Sequence, residues 1–213
     1  MKSGLRLEAL RRRFAAWCLA LLGWVFAGSI PALATTVEPP EFSALVARAG
    51  SVFRGEVTGL RSELVERGGD RAIFTHVTFR VTELIRGKPL PAEVTLEFLG
   101  GTVGDLTLEV AGMPRFERGA QEIVFVERAG PQICPLVAMA YGRYRVLRDA
   151  AGAEQVARDN GAPLMSTADV SLPLTAPAIV ALNARRNPAG ARPLTPADFS
   201  QAIRAEALRA RLP

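Results

Sequence analysis

Ile73-Phe74-Thr75-His76-Val77-Thr78-Phe79-Arg80-Val81-Thr82-Glu83-Leu84-Ile85 is the stretch whose pattern decides the fold. Ile73, Val77, Phe79, Val81 and Ile85 fall on one side of an extended chain, and His76, Thr78, Arg80 and Thr82 on the other. That period of two is expected of a strand with one buried and one wet face. Just before it, Gly68-Gly69-Asp70 supplies a tight turn, and from Val52 onward Phe53, Gly55 and Val57 alternate with Arg54, Glu56 and Thr58. The pattern predicts a long antiparallel hairpin, ended by Gly87 to Pro91.

Outward from the hairpin, the same period continues. Val94, Leu96 and Phe98 alternate with Thr95, Glu97 and Leu99, and Leu106, Leu108 and Val110 alternate with Thr107 and Glu109. Between them, Gly100-Gly101-Thr102-Val103-Gly104 reads as a flexible connection. Ile123 to Val126 is apolar on both faces, as in a central strand, and Tyr141 to Leu147 and Gln155 to Ala157 complete the set. Six or seven short antiparallel strands punctuated by glycine predict a mainly β fold, a small barrel or a sandwich.

Helices are expected at both ends of this β region. Phe42, Leu45, Val46 and Ala49 have helical spacing closed by Gly50, which predicts a short amphipathic helix over 41–49. Near the C-terminus, Thr195-Pro196-Ala197-Asp198 combines an N-cap, a proline at the first helical position and an acid in the first turn. Phe199, Ile203 and Ala207 then form an apolar stripe suited to packing on the sheet. From Asn160 to Pro193 the chain is rich in Pro and Ala with weak periodicity, an extended connection with one short helix expected over 178–184.

The first 34 residues read as an export signal. Lys2, Arg6, Arg11, Arg12 and Arg13 precede an apolar run from Phe14 to Ala27, and Ala32-Leu33-Ala34 offers the small residues a signal peptidase needs. The run is shorter than the roughly 20 apolar residues that span a bilayer, so no stable membrane span is expected once the signal is cleaved. The expected organisation is therefore signal peptide 1–34, β domain 35–158, and extended connection with C-terminal helix 159–213, in an exported protein of the periplasm or medium. Cleavage would remove five of the 26 basic residues and one of the 21 acidic ones, leaving a net charge of +1. A chain so balanced lacks the basic footprint of a phosphate-backbone binder, and nucleic acid is not an expected partner.

Few residues with catalytic chemistry are available. His76 is the only histidine, so a multi-histidine zinc site is excluded, and its mid-strand position beside Thr78 and Arg80 favours a surface or structural role. Cys134, within Ile133-Cys134-Pro135-Leu136, reads as a small buried hydrophobe. The glycines of 100–104 lack the Lys-Ser or Lys-Thr of a phosphate loop. Asp105, Glu109, Glu117 and Glu122 include no pair that sequence singles out for a carboxylate hydrolase. No catalytic group, cofactor or metal is expected. Phe53, Phe79 and Phe98 lie on the apolar faces of their strands and read as core. Phe74 is on the opposite face, and with Tyr141 and Tyr144 it marks a candidate protein-binding surface that also takes in His76 and Arg80.

Three phrases carry a resemblance. They are Leu45-Val46-Ala47-Arg48-Ala49-Gly50-Ser51-Val52-Phe53-Arg54-Gly55-Glu56-Val57, then Phe79-Arg80-Val81-Thr82-Glu83-Leu84-Ile85-Arg86-Gly87, then Arg118-Gly119-Ala120-Gln121-Glu122-Ile123-Val124-Phe125-Val126. Together, over residues 45–147, the chain resembles exported bacterial proteins with a netrin-like, metalloproteinase-inhibitor-like OB barrel. The resemblance implies a small antiparallel OB-like β-barrel that binds something. Tissue inhibitors of metalloproteinases chelate the protease zinc through an N-terminal cysteine, whereas the mature terminus expected here is Thr35 with no cysteine near it, so chelation is not implied. The expectation is a non-enzymatic exported module that binds an envelope or extracellular protein, a secreted protease among the candidates. A structural component of the envelope and a carboxylate-based hydrolase are the alternatives.

Overall fold

A computed structural model describes residues 38–127, 133–174 and 192–210. The expected signal peptide and the short helix expected over 178–184 lie outside the described residues. The fold is mainly β, one large antiparallel sheet carrying two α-helices. The long hairpin is present at full length, β1 (Ser51–Arg67) against β2 (Asp70–Arg86). Gly68 and Gly69, with φ of 64° and 91°, form a two-residue turn that twists in the sense of the strands it joins.

Strand β3 (Glu93–Leu99) follows β2, and a small separate hairpin, β4 (Gly101–Val103) with β5 (Leu106–Leu108), folds over its end. The chain then crosses to β6 (Gln121–Val126), β7 (Arg143–Arg148) and β8 (Glu154–Arg158), giving the order β3-β2-β1-β6-β7-β8 in the main sheet. Residues 101–103, expected as connection, are thus strand. Gly100 and Gly101 take φ of 107° and 135°, which lets the chain reverse directly from β3 into β4.

Both faces of the sheet are buried near its centre. On one face, Val52, Ile123, Phe125, Tyr144 and Val156 pack against α1 (Phe42–Arg48) and α2 (Pro196–Arg209). Phe199 and Ile203 of the predicted stripe are fully buried there. The cap of α2 is as expected: the Asp198 amide donates to Thr195 Oγ1 at 3.1 Å, and the Thr195 amide donates back to Asp198 Oδ2 at 3.3 Å. On the other face, Phe53, Val57, Val77, Phe79, Leu96, Phe98, Val124 and Val126 form a second core, completing the assignment of Phe53, Phe79 and Phe98 to the interior. Ile85, expected to share a face with Phe79, packs instead in the helix-backed core. Three register shifts in β1 between Val52 and Gly59 coil this end of the hairpin away from simple alternation.

A closed barrel is not shown. Among the described residues no pairing joins β3 to β7 or β8, and β3 and β8 stand at the two ends of the strand order. Where a barrel would close, Met113, Phe116 and Leu136, from the segments that lead to β6 and β7, pack on the second core. One backbone bond reaches across, the Leu99 amide donating to the Ile133 carbonyl at 2.9 Å, and side chains supply the rest of the cover. The connection after β8 also contributes order, since the Leu164 amide donates to the Val156 carbonyl at 2.9 Å and Leu194 joins the same ladder. Among the described residues no helix is long and apolar enough to cross a membrane.

Candidate functional site

The alternation of β2 places Phe74, His76 and Arg80 on its outer face, as expected, but their surroundings leave little to offer a partner. His76 Nε2 lies 2.9 Å from Glu63 and 3.8 Å from Glu97. Arg67 grips both oxygens of Glu97 at 2.8 Å and lies 4.4 Å over the Phe74 ring, which is only 8% exposed. Its hydrogen bonds, and secondarily its charge, hold the Glu97 carboxyl below the usual carboxylate range. Arg80 is paired with Glu56. This is a cross-strand lattice of mutually satisfied charges, of the kind that contributes little to stability pair by pair.

The tyrosines are elsewhere. Tyr144, on β7, is buried in the helix-backed core, 4.8 Å from Phe199 and 5.6 Å from Phe125 between ring centroids. It is therefore a core residue and not a surface one; alternation along β7 turns it toward the helices, and burial pushes its hydroxyl well above the ordinary range. Tyr141 sits in the 3-10 turn Met139–Gly142, half-buried, its hydroxyl accepting from the Leu174 amide at 3.3 Å. The candidate set is thus divided between the outer hairpin face and the start of β7.

What the fold does bring together is a cleft of about 320 Å³ at the open end of the second core. Leu60 on β1, Val77 on β2 and Phe98 on β3 make its floor, and Met113 and Phe116 of the crossing segment make its wall. The crossing is anchored on β1, where the Gly119 amide donates to the Val57 carbonyl at 2.8 Å and the Val57 amide donates to Ala120 at 2.9 Å. Phe116 meets Phe98 and Phe79 at centroid distances of 5.0 and 5.4 Å. Its ring also lies 4.6 Å from the guanidinium of Arg143, which ties the cleft wall to a buried ion pair.

That pair is Glu122 and Arg143, 0% and 4% exposed, joined at 2.6 and 3.1 Å, with Asp159 accepting from Arg143 at 2.9 Å. Burial pushes the Glu122 carboxyl above its ordinary range against the pull of Arg143. Burial also opposes the charge on Arg143, but Glu122 and Asp159 outweigh it and hold the guanidinium charged. Glu122 is therefore a structural counter-ion. Of the other carboxylates singled out from sequence, Glu109 is paired with Arg115 at 2.7 Å on the cleft rim, and Asp105 and Glu117 are exposed. Cys134 is half-buried against the second core, and burial pushes its thiol up to about 11, which keeps it protonated at neutral pH.

Two hydroxyls complete the cleft. Thr75 Oγ1 donates to the Gly100 carbonyl at 2.6 Å, and Ser62 Oγ lies 2.9 Å from Thr75 Oγ1. Gly101 rests on this pair: a Cβ there would stand 2.3 Å from Thr75 Oγ1 and 2.7 Å from Ser62 Oγ. No side chain larger than hydrogen fits between the small hairpin and the sheet. Sequence reasoning missed Met113 and Phe116 because they lie outside any periodic segment. The available signal was two large apolar side chains within the glycine- and proline-containing run 112–116.

No protein-family model matches the chain, and no curated protein and no solved structure matches it.

Proposed function

We propose that this chain is an exported, non-enzymatic binding module whose cleft receives part of an envelope or extracellular protein, and that its curled sheet is a variant of the OB-like barrel. The observation that carries the reading is the cleft itself. It is a recess left open at one end of an otherwise filled core, with an apolar floor of Leu60, Val77 and Phe98 and a polar rim that includes Thr102, Thr107, Glu109 and Arg115. The groups best suited to chemistry are engaged elsewhere: His76 is tied to Glu63 on the outer face, and the Cys134 thiol is held protonated. A protease remains a candidate partner through the netrin-like resemblance, without the zinc-chelating cysteine.

The test is crosslinked affinity capture from an envelope and secreted extract of the source organism, comparing the tagged full chain with Val110→Phe. Val110 lines the cleft, so a phenyl ring there fills it. A dominant partner held by the parent and lost by Val110→Phe, at unchanged melting temperature, is the expected result. Retention of that partner by the variant, or recovery of the bait alone, contradicts the proposal.

A further inference from the structure

The two edges of the sheet are finished differently. At β8 the chain covers its own edge: the Val156 amide donates to the Leu194 carbonyl at 2.8 Å, the Leu164 amide to the Val156 carbonyl at 2.9 Å, and the Arg158 amide to the Ala162 carbonyl at 2.8 Å. At β3 the edge is open. The Ala92 carbonyl and the Gly100 amide point to β2, where they meet Val81 and Ile73, while the Leu99 amide points away, to the Ile133 carbonyl at 2.9 Å. The period of two along a strand turns the amides and carbonyls of Glu93, Thr95 and Glu97 away from β2 as well. Among the described residues these groups have no backbone partner. Natural sheets often blunt such an edge with a bulge, a proline or a lysine, and Glu93–Leu99 has none of these. A row of unpaired N–H and C=O groups selects one chemistry, an extended backbone.

The side chains narrow the segment. Glu93, Thr95 and Glu97 lie on the outer face, and Val94, Leu96 and Phe98 on the second core. Glu97 is matched by Arg67 at 2.8 Å. Arg80, across from Glu93 in the register, is engaged by Glu56, which leaves the exposed Glu93 carboxylate without an ion-pair partner among the described residues. An incoming strand is therefore complemented by basic residues on the outer face and by apolar ones beside the half-buried Val94. A second copy is a poor match, since pairing two β3 edges about Thr95 sets each Glu93 against a Glu97, like charges directly opposite. The strand ends at Leu99, which lines the cleft, so a segment laid along β3 finishes beside it.

Resting on the binding-module reading above, we infer that β3 is a docking edge: an extended segment of the partner protein adds to it as a further strand, antiparallel like every pairing in the sheet, with basic side chains on the outer face and apolar ones on the core face.

Amide hydrogen exchange of the full chain, followed residue by residue by NMR, reads the two sides of β3 separately. In the free chain the amides of Val94, Leu96 and Phe98 should be protected, and those of Glu93, Thr95 and Glu97 should exchange freely. The probe is the peptide acetyl-Lys-Val-Lys-Val-Lys-Val-Lys-amide. It should protect the Glu93, Thr95 and Glu97 amides saturably, and its counterpart with glutamate in place of lysine should not. In antiparallel addition the lysine amides face β3, so N-methylation of the central lysine should weaken binding about tenfold, the effect of one lost hydrogen bond. N-methylation of the neighbouring valine should have no such effect. Thr95→Pro removes an outward amide and leaves the ladder to β2 whole, so peptide protection at Glu93 and Glu97 should be lost. If that variant folds poorly, the methylated peptides decide. No protection by the lysine peptide, equal protection by the glutamate one, or indifference to which amide is methylated overturns the inference. Protection in the free chain that grows with its concentration also overturns it, in favour of a second copy. Failure of the wider reading is registered separately, by a partner that survives Val110→Phe in the capture experiment.

Discussion

The two faces of the sheet bury comparable side chains and end differently. On the helix-backed face, α1 and α2 lay Leu45, Val46, Phe199 and Ile203 over the strands, each at 0% exposure, and the core is sealed. On the opposite face, Phe53, Phe79, Val77 and Phe98 are buried as deeply, yet the cover is a crossing segment instead of a helix, and it stops short of Leu60 and Ser62. A helix brings a continuous apolar stripe, whereas an irregular segment brings single side chains such as Met113 and Phe116 with gaps between them. On the proposed reading, stability and binding fall on opposite faces of one sheet.

The largest expected effect is on the sealed face. Phe199 is fully buried and touches the rings of Phe42, Phe125 and Tyr144, so Phe199→Ala should cost about 4 kcal/mol in chemical denaturation. Phe116→Ala, at a half-buried wall, should cost only about 2 kcal/mol, since the space it leaves is already open to water. Equal losses for the two would erase the contrast between the faces.

Between these lies the ion pair behind the cleft wall. Arg143→Leu strands Glu122 in a fully buried position and should cost about 3 kcal/mol at neutral pH. Burial already raises the Glu122 carboxyl, and loss of the guanidinium raises it further. A carboxyl whose folded value lies above its unfolded one favours the folded state when protonated, and that contribution is lost as pH rises through the folded value. The deficit of Arg143→Leu should therefore shrink on acidification, which denaturation midpoints over an acid series would show. A deficit independent of pH would mean that Glu122 finds another partner.

The smallest effect belongs to the outer hairpin face, and its sign is opposite. Arg67 holds Glu97 below its ordinary range, so the pair contributes above the unfolded carboxylate range and is lost as pH falls through the lowered folded value. Arg67→Gln should lower stability slightly at neutral pH and not at all in acid, which flattens the acid limb of the profile. A large loss at neutral pH would show that the lattice around His76 is structural to a degree its exposure does not suggest.

How much of this was legible in the sequence follows the same division. The hairpin was read from alternation and from Gly68-Gly69, because a strand with one wet face states its period openly. The capped helix was read from Thr195 and Asp198, because a cap is a local device. Tyr144 was misplaced because a strand buried on one side and half-covered on the other gives no sign of which side is wet. The cleft was illegible for a deeper reason. Its floor comes from three strands, its wall from a segment without period, and its hydroxyls are held by hydrogen bonds that link Ser62, Thr75 and the Gly100 carbonyl. None of these is a local property of the chain.

The claim that binding belongs to the open face and not to the sealed one is tested most directly by site-specific photocrosslinking in cells of the source organism. A benzophenone side chain is placed either at Thr107, on the cleft rim, or at Leu208, which is 64% exposed on α2. The account predicts a covalent partner adduct from position 107 and none from position 208. An adduct from 208 alone would place the partner on the helical face and contradict it.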